Sequence, residues 1–312
     1  MDKLKKDAER ISSLEIQGAT EVCLSACDFL SNYAQRLEID DKKKILKKLH
    51  KGREILFATR PTEPAMKNGL NYILKKLEKE LDLMSISEIP SKVLQFKDDY
   101  HKMLLDSKAK IAKIGANRFP DDDPEGFTVF THCHSSVVTA ILIEAKNQGK
   151  NFRVVNTETQ PKLQGRKTAK ELLDAGIKVI HVVDSAMRWA VNHFEADIIL
   201  VGADSITSEG TVLNKIGSRL LALVSRENHV PFYVATPLLK YNPETSFGIL
   251  EIIEMRDTDE IWENPPENLE IVNPAFETVN RRYIDGLITE AGIFPSAHAY
   301  LWFQRLYPDL VS

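Results

Sequence analysis

The hydrophobic pattern of this 312-residue chain changes once, near residue 118, and that change limits the folds available to it. Before residue 118, apolar side chains recur every three or four positions, which is the spacing of amphipathic helices. After it, short apolar runs alternate with helical segments. We therefore expect a helical domain of five or six helices in residues 1 to 118 and an α/β domain in residues 119 to 312. A polar stretch at residues 119 to 126 marks the boundary.

The alternation of short strands and helices in the second domain predicts right-handed βαβ crossovers and a doubly wound, mostly parallel sheet. The first strand begins at Phe127, ends in residues 131 to 134 and leads directly into a helix at Val137. The other expected strands are residues 152–155, 178–183, 198–201 and 231–235, with a last strand near 287–288. Further helices are expected near residues 168–175, 185–191 and 214–225. All of these strand ends should face one crevice.

Composition agrees with an ordinary globular protein, since 43% of the residues are hydrophobic and 28% are charged. No apolar run approaches the roughly 20 residues needed to span a bilayer, and the chain starts with a charged helix, so we expect a cytoplasmic protein without a membrane partner. Three cysteines do not make a disulfide framework. Cys23 and Cys27 lie four residues apart in an apolar pattern, and we expect them on a buried helix face.

Charge is unevenly distributed along the chain. Residues 1 to 120 carry 24 Lys and Arg against 18 Asp and Glu, whereas the rest carries 17 against 27. The basic residues alternate with acidic ones at helical spacing, which indicates solvated helix faces and some attraction for anionic ligands. Neither aromatic residues among the basic ones nor zinc-ligand spacings are present, so we expect no nucleic acid partner.

Cys133 is the first candidate for chemistry. It follows a buried strand and precedes a helix, and a helix N-terminus lowers the pKa of a thiol by favouring the thiolate. We therefore expect a reactive cysteine at the strand end. The alternative, a buried structural thiol, is a common fate of cysteine. His132 and His134 share one strand face with Cys133 on the other, a poor arrangement for metal ligation, and we expect both to be hydrogen-bonded core or supporting residues.

Asp204 is the second candidate, because it follows the buried Ile-Ile-Leu-Val strand and two small residues, as expected for a catalytic acid or base. An N-cap or Asx-turn role is an equal alternative. A helix that begins at Asn214 would present backbone N–H groups, and Lys215 a positive charge, to a phosphate. The alternative for this pair is an ordinary helix cap with a solvated lysine. Dinucleotide and Walker motifs do not occur in the sequence, so neither type of nucleotide site is expected.

Several motifs in order resemble one superfamily over nearly the whole chain. It comprises the methylthioribose-1-phosphate isomerases, the archaeal-type ribose-1,5-bisphosphate isomerases and the regulatory alpha, beta and delta subunits of translation initiation factor 2B. The motifs are Ile16-Gln17-Gly18-Ala19, Thr59-Arg60-Pro61-Thr62, Thr131-His132-Cys133-His134-Ser135, Thr157-Glu158-Thr159-Gln160-Pro161, Leu163-Gln164-Gly165, Val183-Asp184-Ser185-Ala186, Gly202-Ala203-Asp204, Asn214-Lys215-Ile216-Gly217 and Asn273-Pro274-Ala275-Phe276.

The resemblance implies a helical N-terminal lobe, a Rossmann-like C-terminal lobe with the site between them, and a homo-oligomer built from dimers, a hexamer being one such assembly. Cys133 and Asp204 match the catalytic pair, which the regulatory subunits generally lack. No metal and no cofactor is implied. The positions that match substrate-binding residues are Gln17, Gly18, Ala19, Thr20, Arg60, Ser135, Ser136, Val137, Gln160, Asn214, Lys215 and Lys240.

Two positions depart from the isomerase pattern. Gln17 and Gln160 stand where the isomerases usually have arginine, and the regulatory subunits can have glutamine at both. Arginine binds phosphate with full charge, whereas glutamine offers only a neutral dipole. Loss of two such groups would cost roughly 1.5 to 3 kcal/mol each, which Arg60, Lys162, Arg166 and Lys215 would have to offset.

The expected function is a sugar-phosphate isomerase of nucleotide metabolism that converts ribose 1,5-bisphosphate to ribulose 1,5-bisphosphate by moving a proton from C2 to C1. In the expected mechanism a protonated Asp204 opens the sugar ring, the Cys133 thiolate moves the proton, and Lys215 stabilises the enolate. Two alternatives remain open: a methylthioribose-1-phosphate isomerase, and a regulatory subunit that binds a sugar phosphate or nucleotide without turning it over.

Overall fold

The computed structural model describes residues 1–121, 126–249 and 251–311. The chain divides into two compact units. The helical unit comprises Met1–Asp106, Leu239–Tyr241 and the residues from Phe303 onward, and the sheet unit comprises Ser107–Leu238 and Asn242–Trp302. The domain boundary expected after residue 118 stays a prediction, and residues 122–125 of the polar stretch lie outside the described residues.

Five α-helices occupy residues 1–121, as the apolar spacing predicts. They are α1 (Asp2–Ser12), α2 (Ala19–Ala34), α3 (Lys42–Phe57), α4 (Pro64–Glu80) and α5 (Ile89–Ala116), the last of which continues into the sheet unit from Ser107. Asp41 caps α3 by accepting the Lys44 N–H at 2.9 Å. Cys23 and Cys27 are fully buried on α2, which confirms the expected helix face.

The sheet unit is built on seven strands, and their bounds follow the short apolar runs of the sequence. They are β1 (Phe127–Thr131), β2 (Phe152–Thr157), β3 (Lys178–Val182), β4 (Ile198–Val201), β7 (Phe232–Ala235), β9 (Gly286–Thr289) and β10 (Gly292–Phe294). The strands are numbered along the chain, and the three missing numbers belong to the second sheet: β5 (Ser205–Ile206), β6 (Val212–Lys215) and β8 (Phe276–Val279). The spatial order is β10-β9-β7-β4-β1-β2-β3, and all neighbours are parallel except β10 and β9. The predicted Rossmann-like, mostly parallel sheet is confirmed.

The chain runs outward from β1 to β3 in one direction and from β4 to β9 in the other. The order therefore reverses between β1 and β4, which pair directly through Val129 with Ile198 and Phe130 with Ile199. Ligands of open α/β sheets bind beyond the carboxyl ends of the strands at such a reversal. In this chain, that position is the loop after Thr131 and the loop after Val201.

Four helices accompany the strands in sequence: α6 (Ser136–Asn147), α7 (Gln164–Asp174), α8 (Met187–His193) and α9 (Ser218–Asn228). Apolar residues of α6 and α7 pack with β1, β2 and β4 in a buried core that includes Val138, Leu142, Leu172, Val154 and Leu200. Ile111 and Ala116, from the end of α5, belong to the same core.

A second, three-stranded antiparallel sheet was not predicted. It comprises β5 (Ser205–Ile206), β6 (Val212–Lys215) and β8 (Phe276–Val279), in the order β5-β6-β8. The expected helix start at Asn214 is therefore wrong. Val212 and Leu213 pack as strand residues, Gly217 adopts a left-handed φ of 102°, and α9 begins only at Ser218. The chain ends in α10 (Ala299–Leu306) and α11 (Pro308–Val311). Among the described helices, none is long and apolar enough to cross a membrane.

Candidate active site

Cys133 lies in the turn between β1 and α6 with a left-handed φ of 67°. Non-glycine residues seldom adopt this conformation, and they keep it where neighbours hold the backbone. Two threonines do so here. The Cys133 N–H donates to Thr159 Oγ1 at 2.9 Å, and Thr168 Oγ1 donates to the Cys133 carbonyl at 2.9 Å. The backbone of Cys133 is thus fixed on both sides, and the residue as a whole is half-buried.

Asp204 occupies the equivalent position after β4. It directly precedes β5, and its N–H donates to the Leu213 carbonyl at 2.9 Å, so it does not cap a helix. The two loops approach each other closely at Gly202. A Cβ at Gly202 would lie 2.6 Å from Ser135 Oγ, so only glycine allows this approach. The loops that carry Cys133 and Asp204 are therefore packed together at the reversal of strand order.

Asn214 and Lys215 come from β6 of the small sheet rather than from a helix N-terminus. Asn214 is buried, and its Nδ2 donates to Ser218 Oγ at 2.8 Å. Lys215 Nζ lies 4.6 Å from the centroid of the Phe276 ring, within the range of a cation–π interaction. Lys215 is the last residue of β6, and this contact holds its ammonium group beside the Phe276 ring, while its role toward a phosphate stays a prediction.

The thiol of Cys133 is held protonated at neutral pH. Burial raises the pKa of Cys133 to about 11, against the opposing effects of the Lys215 charge and the His134 backbone N–H, while Asp204 and Asp184 add to the increase. The expected thiolate is therefore wrong for the ligand-free protein, because loss of hydration outweighs the favourable dipoles. Lys215, Asp204 and Asp184 are thus charged groups whose electrostatic effects reach the Cys133 thiol.

His132 and His134 support the turn, as predicted. His132 is buried, and its Nε2 donates to the Ile216 carbonyl at 2.7 Å, so its Nδ1 accepts from Thr157 Oγ1 at 2.5 Å. Burial lowers the pKa of His132, which keeps the ring neutral. His134 Nδ1 contacts Thr168 Oγ1 at 3.1 Å. Both histidines are hydrogen-bonded within the protein fold.

Gln160 lines a cleft at the surface of the sheet unit. Its Nε2 donates to Glu158 Oε1 at 3.0 Å. Lys162, Lys215 and Arg256 also line the cleft, together with Glu260, which pairs with Lys162 at 3.1 Å and with Arg256 at 2.6 Å. Arg256 and Glu260 were not predicted, because they lie in the connection between β7 and β8, outside the strand ends at which site residues were expected. Three cations therefore lie near the glutamine that replaces an expected arginine.

Of the predicted residues, Cys133, Ser135, Ser136, Val137, Gln160, Asp204, Asn214 and Lys215 lie in the sheet unit, and Gln17, Gly18, Ala19, Thr20, Arg60 and Lys240 lie in the helical unit. Within the helical unit, Asn68 Nδ2 donates to the carbonyls of Leu239 and Tyr241, the two neighbours of Lys240. Arg60 pairs with Glu63 at 3.0 Å, and both side chains are buried. These contacts hold Lys240 against α4 and Arg60 at the start of that helix.

Comparison with known proteins identifies the family. Residues 15–296 match the model of the initiation factor 2 subunit family. The chain belongs to this family. The ribose 1,5-bisphosphate isomerase of Methanocaldococcus jannaschii is 35% identical over 309 residues, which cover 98% of this chain and 96% of the relative.

Two further similar proteins bear the names of the other groups in the resemblance. The methylthioribose-1-phosphate isomerase of Pelotomaculum thermopropionicum is 32% identical over an alignment that covers 92% of this chain and 81% of the relative. The crystal structure of the Pyrococcus horikoshii OT3 translation initiation factor eIF-2B superposes with a TM-score of 0.80 at 27% identity. The superposition covers 95% of this chain and 98% of that structure's chain. The resemblance stated from the motifs is thus confirmed.

Proposed function

We propose that this protein is a sugar-phosphate aldose-ketose isomerase that converts ribose 1,5-bisphosphate to ribulose 1,5-bisphosphate. The observation that carries the proposal is the juxtaposition of Cys133 and Asp204 after two paired strands at the reversal of strand order. Two groups that transfer protons, at the position where this fold binds ligands, suit a reaction that only moves protons. The high identity to archaeal ribose 1,5-bisphosphate isomerases supports the choice of substrate.

The first step opens the sugar ring. The phosphate on the anomeric oxygen prevents the ring from opening by loss of a proton there, so the ring oxygen must be protonated instead. The Cys133 thiol, which keeps its proton up to pH of about 11, donates that proton as the bond between C1 and the ring oxygen breaks. This role reverses the one expected from sequence, where Asp204 was the acid.

The second step moves the proton. The Asp204 carboxylate removes the proton from C2, which forms the enol phosphate across C1 and C2, and then returns it to C1. The Cys133 thiolate left by the first step takes the proton from the hydroxyl on C2, which becomes the ketone. Both side chains then have their starting protonation states, and no electron leaves the substrate. Lys215 stabilises the thiolate that the first step leaves on Cys133, since its positive charge lowers the pKa of that thiol.

Phosphate binding is proposed for the start of α6, the strand β6 and the cationic cleft. Ser136 and Val137 lie in the first turn of α6, where backbone N–H groups and the helix dipole attract an anion. Lys162, Lys215 and Arg256 supply positive charge beside Gln160. From the helical unit, Gln17, Gly18, Ala19, Thr20, Arg60 and Lys240 are proposed to bind substrate on the resemblance alone.

Two other functions have specific support. A methylthioribose-1-phosphate isomerase would use the same proton transfers, and a relative of that name is 32% identical. A regulatory subunit that binds its ligand without turnover is favoured by Gln17 and Gln160, whereas the paired Cys133 and Asp204 favour an enzyme. We further propose a homo-oligomer built from dimers. We place the activity in the cytoplasm, because a charged sugar phosphate does not cross a bilayer unaided.

The test is a proton NMR time course in heavy water with the purified protein and either ribose 1,5-bisphosphate or methylthioribose 1-phosphate. Formation of ribulose 1,5-bisphosphate from the first substrate alone is the expected result. Turnover of only the second substrate would assign the methylthioribose activity. If neither reacts but either sugar phosphate raises the melting temperature, the protein is a regulatory binding subunit.

A further inference from the structure

Asp184, at the carboxyl end of β3, binds the loop that follows β2. Its Oδ1 accepts the Thr159 N–H at 2.9 Å and its Oδ2 accepts the Gln160 N–H at 2.6 Å. One carboxylate thus satisfies two successive backbone donors, and hydrogen bonds to an ionised acceptor are roughly twice as strong as neutral ones. The mechanism above gives Asp184 no role, although its charge acts on the Cys133 sulfur.

Thr159 joins this loop to the catalytic turn. It is completely buried and has a left-handed φ of 63°, and its Oγ1 accepts the Cys133 N–H at 2.9 Å. Cys133 itself has a φ of 67°. A single hydrogen bond therefore connects two non-glycine residues in the left-handed region, and a carboxylate anchors one of them. Left-handed backbone of this kind costs free energy and persists only where surrounding contacts maintain it.

We propose that Asp184 and Thr159 are positioning residues for the isomerase reaction: Asp184 orients Thr159, and Thr159 holds the Cys133 backbone in the conformation that directs its thiol toward the substrate. This inference rests on the proposed function. Thr168 holds the opposite side of Cys133 through the carbonyl, so loss of the Thr159 bond would leave Cys133 attached on one side only. The thiol would then be displaced without any change in its chemical identity.

Two variants separate the hydroxyl of Thr159 from its bulk. Thr159→Val keeps the shape and removes the acceptor, whereas Thr159→Ser keeps the acceptor. We expect kcat to fall by about a hundredfold in Thr159→Val, as for a catalytic group displaced by about 1 Å, with KM within about twofold. Thr159→Ser should restore kcat to within about threefold of the parent, because its hydroxyl can accept the same bond. Equal activity in Thr159→Val and Thr159→Ser would overturn the proposal.

Asp184→Asn tests the other half of the pair, since its amide can accept only one of the two N–H groups. The matched control is Asp197→Asn, in which Asp197 accepts the Thr128 N–H at 2.7 Å at the amino end of β1, away from Cys133. We expect Asp184→Asn to lower kcat and the control to leave it unchanged. In the double variant Asp184→Asn/Thr159→Val, kcat should equal that of the less active single variant, because both changes break the same connection to Cys133. Multiplicative losses would show two independent effects and refute the pairing.

A readout without turnover separates this inference from the proposed function. Iodoacetamide should alkylate Cys133 in preference to Cys23 and Cys27, because those two residues are fully buried whereas Cys133 is half-buried, and peptide mass spectrometry verifies the site. The rates are compared at the same fraction of Cys133 thiolate. Alkylation should change by roughly tenfold in Thr159→Val and in Asp184→Asn. It should stay unchanged in Thr159→Ser and in the control Asp197→Asn. This result would support the positioning role even in a protein that binds without turnover. Unchanged rates in all four variants would overturn it.

Discussion

Cys133 and Asp204 each follow one of two directly paired parallel strands, and a Cβ on Gly202 would collide with Ser135, so the two loops are in contact. The sheet thus places the proposed proton donor and proton acceptor in adjacent loops, although 71 positions separate them along the chain. Strand order, rather than any local motif, brings the proposed catalytic pair together.

Replacement of the Cys133 sulfur should stop turnover and leave binding in place. The serine hydroxyl in Cys133→Ser is a much weaker acid than the thiol, and loss of a positioned acid or base costs roughly 10² to 10⁴ in rate. We expect kcat, measured by NMR, to decrease by a factor of roughly 10² to 10⁴. The rise in melting temperature with ribose 1,5-bisphosphate should match that of the parent protein within about 1 °C, because binding contributes to stability independently of turnover. Undiminished turnover would remove Cys133 from the mechanism.

The pH dependence of kcat/KM distinguishes the two protonation states of Cys133. Because kcat/KM reports groups of the free enzyme, a thiol that acts as the acid predicts a flat profile from pH 7 to 9.5 and a decline as the pH passes about 11. A thiolate that acts as the base predicts instead an increase of about tenfold per pH unit over the same interval. Initial rates in overlapping buffers decide between them, with circular dichroism at each pH as the control for unfolding.

Much of this architecture was predictable because periodicity reports which faces are buried. The run from Ile198 to Val201 is the strand β4 at its expected bounds, since its length of four and its β-branched residues favour a buried strand over a helix. Asn214 was assigned to the wrong element because Val212 and Leu213 fit either a helix or a strand, and only the pairing with β8 decides. The roles of Arg256 and Thr159 depend on contacts between segments distant in sequence, which no local pattern records.

An arginine at position 160, where the isomerases usually have one, should strengthen phosphate binding. In Gln160→Arg, the cleft gains a fourth cation, and a hydrogen bond to a charged group contributes roughly 1.5 to 3 kcal/mol. We therefore expect KM to fall by about tenfold or more. The control is Gln148→Arg, because Gln148 also donates to a glutamate at 3.0 Å but lies at the end of α6, outside the cleft. Equal KM values in the two variants would argue that position 160 does not face the substrate.

Substitution of Gly217 should lower the free energy of unfolding for two separable reasons. A Cβ at this position would lie 2.7 Å from His132 Nε2, and the φ of 102° disfavours any side chain. Gly149→Ala is the matched control, because Gly149 has a φ of 81° with no atom within 4 Å of the added Cβ. We expect the control to lower the free energy of unfolding by about 1 kcal/mol, and Gly217→Ala to lower it by about 3 kcal/mol, since the backbone or His132 must also shift. Urea unfolding curves give both values.

His132 should make the protein less stable in mild acid. Burial lowers its pKa below the ordinary value of 6.5, so below pH 6.5 the unfolded chain binds a proton that the folded protein does not. The free energy of unfolding should therefore fall as the pH decreases through this range, by up to about 1.4 kcal/mol per pH unit for this residue. Above pH 6.5 its contribution should be constant. In His132→Gln, which can still donate to the Ile216 carbonyl, the slope between pH 6.5 and 5 should decrease, because the unfolded variant has no imidazole to protonate there. Urea unfolding at several pH values measures the slope, and parallel curves for the parent and the variant would show that His132 does not titrate on unfolding.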